Sequence, residues 1–172
     1  MIDDLLRPGL SLVFCGTALS RASYQARAYY AKPGNRFWPT LAQVGLTPRR
    51  FQPGEYPELL DLDIGLTDLC KLHYGQDDEL PPGSLDAQGL LAKLAVYRPL
   101  RLAFTSKNAA QAVYGRKVDY GQQKEPLEGA QVWVLPSPSG LATRFWNVEV
   151  WQALADEVRK SAEVRPVEES HP

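Results

Sequence analysis

Two stretches of this sequence hold residues able to do chemistry. The first is "DLDIGLTDL", residues 61–69, which carries Asp61, Asp63 and Asp68 around a short apolar run. A carboxylate there can take a proton from water or face a developing positive charge. The second is "LPSPSGLATRF", residues 135–145, where a lone Leu141 sits in a loop of prolines and serines with Arg144 close behind. The residues alone leave Leu141 with two roles. It either reaches out of the loop or packs beneath it as the staple of the next helix.

Those residues must be held by elements, and hydrophobic patterning suggests which. "LSLVFCG" (10–16) reads as a buried strand, and residues 17–34 as a long loop with at most a helical turn. A loop that long inside a compact domain is usually functional. Asn35 can cap a helix over 35–46 with Pro39 in its first turn, where proline costs least. "TPRRF" (47–51) offers a second short helix start, and a helical turn near 55–62 leads into a strand at 64–69. A Ser84-capped helix (84–99), a strand (100–106), a helix (107–115), a loop (118–129), a strand (130–136) and a helix (147–162) follow. Strands separated by helices predict an α/β fold, a single-domain three-layer α/β/α sandwich around a short, mainly parallel sheet of four or five strands. The domain spans 1–160, and 161–172 reads as a flexible tail. In such sheets ligands bind beyond the carboxyl ends of the strands. That points to Gly16 and its loop, Ser106, the 136–144 loop and the 62–65 approach to the second strand.

The totals set bounds. The chain has 172 residues, 44% hydrophobic, with a formal net charge of −1. That argues against gripping nucleic acid by bulk charge and leaves room for a local basic rim. Cys15 and Cys70 lie in apolar runs without metal-ligand spacing and read as reduced core thiols. No stretch is apolar enough to span a bilayer, and "MIDDLLRPG" lacks a signal-peptide pattern. The expectation is a cytoplasmic protein. His73 reads as a surface histidine.

"VFCG" (13–16), "KPGNRFW" (32–38) and "LPSPSGL" (135–141), with the weaker "LLDLDIGLTDL" (59–69), resemble the mismatch-specific uracil-DNA glycosylase and thymine-DNA glycosylase family. The likeness runs over residues 1–158 in the same order. It implies one α/β domain that flips uracil out of DNA and hydrolyses its N-glycosidic bond with water, using no metal and no organic cofactor. It implies that Leu141 enters the base stack, an apolar wedge with no hydrogen-bond demand of its own. Pro136 and Pro138 would stiffen the loop, and Gly140 would let backbone approach DNA. Ser137 and Ser139 would donate to a phosphate or a base edge, and Arg144 would neutralise a phosphate. Tyr30 is matched to the aromatic that stacks on uracil, with Tyr24 and Tyr29 as neighbouring rivals, and Ser23 to a polar pocket residue. Gly16 and Ala18 would floor the pocket. Lys32, Arg36 and Lys107 would face phosphates, whereas Asn35 reads mainly as a structural cap.

One motif departs from the resemblance. Familiar members read "G-I-N-P-G" after the first strand, and their asparagine positions the attacking water. This chain reads "G-T-A-L-S" (16–20), with Ala18 in that place. Cleavage through a cation-like sugar needs another group, and a carboxylate suits it. Asp63, beside the second strand, is the expected catalytic acid. Thr17 is the runner-up, and Asp68 is expected to pair with a surface cation.

The resulting expectation is a cytoplasmic, nucleoid-associated, monomeric repair enzyme. It would act on double-stranded DNA containing uracil or mismatches, with single-stranded DNA as a second partner. Two rivals are a non-catalytic binder of damaged DNA, consistent with Ala18, and a small-molecule α/β hydrolase. The chain shows neither "GxSxG" nor "GxxxxGK[ST]" for the latter.

Overall fold

The structure, a computed structural model, describes residues 1–164. Its sheet has five strands in the order β2-β1-β3-β5-β4. They are β1 (Leu12–Gly16), β2 (Ile64–Asp68), β3 (Arg101–Phe104), β4 (Gly121–Gln122) and β5 (Gln131–Val134). β1 runs parallel to β2 and β3, β3 runs parallel to β5, and β4 closes one edge antiparallel to β5. On the other edge Leu5 makes an antiparallel bridge to Leu66, with both backbone hydrogen bonds at 2.9 Å. The helices are α1 (Arg21–Ala26), α2 (Phe37–Gln43), α3 (Ala87–Tyr97), α4 (Lys107–Tyr114) and α5 (Val148–Val164).

Both faces of the sheet are covered, so the strands are apolar throughout rather than alternating. Leu12, Phe14, Ala103 and Trp133 face one core, filled by Phe37 and Leu41 of α2 and by Trp151 and Leu154 of α5. Val13, Cys15, Leu102, Phe104 and Val132 face the other, filled by Leu90 and Leu94 of α3 and by Ala109 and Ala110 of α4. The period of two along each strand puts successive residues into opposite cores. Both cysteines are free and buried, as expected. Among the described residues, no helix is long and apolar enough to cross a membrane.

Several boundaries differ from the sequence reading. β4 lies inside the stretch expected to be loop, because two residues are too few to show a pattern. "TPRRF" forms no helix. Thr47 instead donates its hydroxyl to the Arg49 carbonyl at 2.8 Å, and a 3-10 segment begins only at Pro53 and runs to Leu62. α3 is capped by Asp86, which accepts from the Gly89 N–H at 2.8 Å; Ser84 turns back to Pro81. Residues 161–164 of the expected tail form the end of α5, and its remainder, 165–172, lies outside the described residues.

Candidate active site

A cleft of about 860 Å³ opens at the carboxyl ends of β1, β2, β3 and β5. That volume is in the range of small-molecule sites, roughly 300–1,000 Å³. Its walls come from the connections that follow those four strands. Gly16, Thr17, Ala18, Ser23, Tyr30, Lys32, Lys107, Ser137, Ser139 and Leu141, all singled out from the sequence, line it.

The end of β2 supplies a residue the sequence reading passed over. Asp68 lines the cleft, is only 4% exposed, and its Oδ2 has no hydrogen-bond partner. It forms none of the ion pairs among the described residues, so the expected surface pairing does not occur. Burial pushes its carboxyl up to about 6, while the more distant Lys71 and Lys93 ammonium groups and the Gly16 amide pull the other way. Space for it depends on Gly16. A Cβ at that position would lie 2.7 Å from Asp68 Oδ1, 3.3 Å from the Tyr30 hydroxyl and 3.4 Å from Thr105 Oγ1. Those three polar groups therefore converge over one bare backbone position.

Behind Asp68 stands a charged cluster. Asp4 accepts from Thr67 Oγ1 at 2.8 Å and pairs with Lys71 at 3.0 Å and Lys93 at 2.7 Å. Burial alone would raise the Asp4 carboxyl, but the two ammonium groups outweigh it and hold it below its ordinary value.

Tyr30 is aimed by the 17–34 connection. Ser20 caps α1 by accepting from the Ser23 N–H at 3.0 Å, and Ser23 Oγ accepts from the Ala31 N–H at 3.0 Å. Trp38 Nε1 of α2 donates to the Tyr29 carbonyl at 3.0 Å. Between these ties Tyr30 adopts a left-handed φ of 52°, which is uncommon for a bulky residue and marks a constrained position. Its ring stacks on Phe37 at 3.9 Å, and its hydroxyl bonds Thr105 Oγ1 at 3.1 Å. One ring face is thus covered, leaving the other as the face a planar ligand can meet. Of the rivals, Tyr24 does not line the cleft, and Tyr29 lines it with its hydroxyl tied elsewhere. Tyr24 stacks on Tyr74 at 4.2 Å, and the Tyr29 hydroxyl donates to the Asp3 carbonyl at 3.0 Å. Asn35 also lines the cleft. Its Oδ1 accepts from the Phe37 N–H at 2.9 Å, a local turn bond made from the position before Arg36, which begins α2 without a side-chain cap; the expected cap at Asn35 is thus one residue early.

Thr17 does not hold its hydroxyl free. Oγ1 donates to Asp77 Oδ1 at 2.6 Å, and Asn108 Nδ2 donates to Asp77 Oδ2 at 2.7 Å. Asp77 therefore joins the connections after β1 and β2 to the start of α4. Ala18 has no side-chain group that could position water, in accord with the expectation.

The 135–145 loop is braced at its root and open at its tip. Trp151 Nε1 donates to the Pro136 carbonyl at 3.1 Å, and the Arg36 N–H donates to the Pro138 carbonyl at 2.7 Å. Arg36 also donates from Nη1 to the Ser139 carbonyl at 3.2 Å and lies over the Trp146 ring. It braces the loop and does not line the cleft. Gly140 serves a close approach of a different kind from the one expected. A Cβ there would be 3.0 Å from the Gly34 carbonyl oxygen, so the loop packs against Pro33-Gly34. Leu141 stands 65% exposed at the tip, which removes the staple alternative. Arg144 is exposed over the Phe145 ring. Lys107 opens α4 with its ammonium 4.3 Å from the Tyr120 ring centroid.

Asp63 is the main correction. It closes the 3-10 segment in a left-handed conformation and pairs with Arg7, half exposed, at the amino end of β2. A residue that enters a parallel strand lies at the opposite end of the sheet from the residue that leaves it. Asp63 therefore does not line the cleft, and Asp68, five positions on, does.

The family model of the Uracil DNA glycosylase superfamily matches residues 4–155. The chain belongs to the uracil DNA glycosylase superfamily. In fold it is similar to the solution NMR structure of "a putative Uracil DNA glycosylase" from Methanosarcina acetivorans. That comparison has a TM-score of 0.65 and 21% identity, and it covers 92% of this chain and 96% of the other. Membership supports a DNA glycosylase, a hydrolase of base–sugar bonds whose partner is DNA.

Proposed function

We propose that the protein removes uracil from DNA by flipping the deoxyuridine into this cleft, with Asp68 as the general base that activates water. The observation that carries the proposal is the Asp68 carboxylate, buried in the cleft with one oxygen unpartnered. A buried acceptor left open costs free energy unless function or solvent uses it.

In this reading the extruded base lies on the open face of Tyr30, where stacking is worth roughly 1–3 kcal/mol. Asn35 Nδ2 donates to a carbonyl on the base edge, and Leu141 fills the place the nucleotide left. Asp68 accepts a proton from water as the water oxygen bonds C1′. The C1′–N1 bond breaks, and its electron pair leaves with the uracil ring, which then takes up a proton. The Asp68 charge also faces the positive charge that develops on the sugar. Water is the nucleophile, so the enzyme is monofunctional. Lys32, Lys107 and Arg144 are available to phosphates around the rim, where each cation adds to salt-sensitive affinity.

The test is release of uracil from an oligonucleotide. Wild-type protein is expected to release it. Asp68→Asn is expected to lose at least about a hundredfold in rate, the scale of general-base loss, while still binding DNA. Asp63→Ala, remote from the cleft, is expected to retain the wild-type rate. Binding without release by the wild type would establish the non-catalytic alternative.

A further inference from the structure

Leu141 is not alone at the mouth of the cleft. Phe145, four residues on, also lines it and is 61% exposed. Arg144 lies over its ring at 5.2 Å, and folding leaves much of the ring in water, as expected of an interaction surface. Two backbone donors at the tip are already used. The Leu141 N–H donates to Ser139 Oγ at 3.2 Å, and the Ala142 N–H donates to the Ser139 carbonyl at 3.0 Å. The tip therefore presents a side chain and a ring to whatever lies against it, not these two amides.

We propose that Phe145 is a second finger that stacks on the base opposite the extruded nucleotide, so that the loop recognises that orphaned base by its face and not by its edge. This rests on the reading of the protein as a glycosylase that flips its target out of a duplex. Every base has a π-face, so stacking tolerates any base at that position. Edge recognition would instead need donors and acceptors set against the Watson–Crick groups, and the Leu141 and Ala142 amides are spent inside the loop. The two apolar side chains divide the work. Leu141 occupies the vacancy in one strand, and Phe145 covers the base left unpaired in the other.

Single-turnover uracil release tests this with wild-type protein and Phe145→Ala. The substrates are a single strand and duplexes with uracil opposite guanine, adenine or an abasic site. The substitution is expected to lower the ratio of duplex rate to single-strand rate by about tenfold opposite either base, the scale of one lost stacking contact. Opposite the abasic site, where nothing is left to stack on, the ratio is expected to match that of wild type. A loss confined to one opposite base, a loss that persists opposite the abasic site, or no loss at all would overturn the proposal. Failure of the wild type to release uracil from any substrate would instead overturn the glycosylase reading on which it rests.

Discussion

Asp68 carries opposite consequences for activity and for stability. As a general base it must be ionised, so uracil release is expected to rise with pH through about 6 and level off above it. A rate profile with no acid limb in that region would remove Asp68 from the role. The stability effect has the other sign. The folded-state value lies above the ordinary 3.8, so the fold favours the protonated acid. That contribution is complete below about pH 4 and is lost as pH rises through 6. At pH 8 the charged carboxylate costs the fold up to about 3 kcal/mol. Asp68→Asn is therefore expected to unfold at higher denaturant than wild type at pH 8, with the gap closing toward pH 4. Urea titrations at the two pH values read this directly.

The same residue shows what could be read from the sequence and what could not. Leu141, Tyr30 and Ser23, legible from the resemblance, and Lys107, legible from its place at a helix start, lie around one cleft. The acid expected in the cleft stands at the entry of its strand, Asp63, and the acid that lines the cleft stands at the exit, Asp68. Both Asp63 and Asp68 flank the same five-residue run, and only strand direction separates them. That direction was available, since a parallel strand offers its exit and not its entry to the site. The burial of Asp68 was not available, because a carboxylate in an apolar run looks the same in sequence whether it pairs with a cation or is held alone. Phe145 was hidden for the converse reason, as an aromatic beside a helix start ordinarily belongs to the core.

At the scale of elements, the loop after β5 works because neighbours hold its root. Trp151 reaches back from α5, Arg36 reaches up from the start of α2, and Gly140 lies against Gly34. Gly140→Ala is expected to force the loop from Gly34 by a few tenths of an ångström and to misplace Leu141. Duplex excision should fall several-fold while single-strand excision changes less, and parallel rate measurements on the two substrates would separate these effects. β4 and α1 were not legible for lack of length: two and six residues cannot establish a period. α3, α4 and α5 were legible as elements from their patterning, although the cap of α3 and the end of α5 were not.

For the whole molecule, the N-terminal segment is part of the frame. Asp4 lies between Lys71 and Lys93 and takes a hydrogen bond from Thr67 on β2. Asp4→Asn leaves two partly buried ammonium groups without their carboxylate, a change expected to destabilise by about 3 kcal/mol. Thermal unfolding would show it as a lower midpoint at neutral pH, and the difference should shrink in acid as wild-type Asp4 itself protonates.

The bridge from Leu5 to Leu66 has a consequence of its own. With that segment along β2 and the short β4 along β5, neither rim of the sheet offers a long row of open amides and carbonyls. Among the described residues, then, little open backbone is left along the rims as a template for an added strand from another chain.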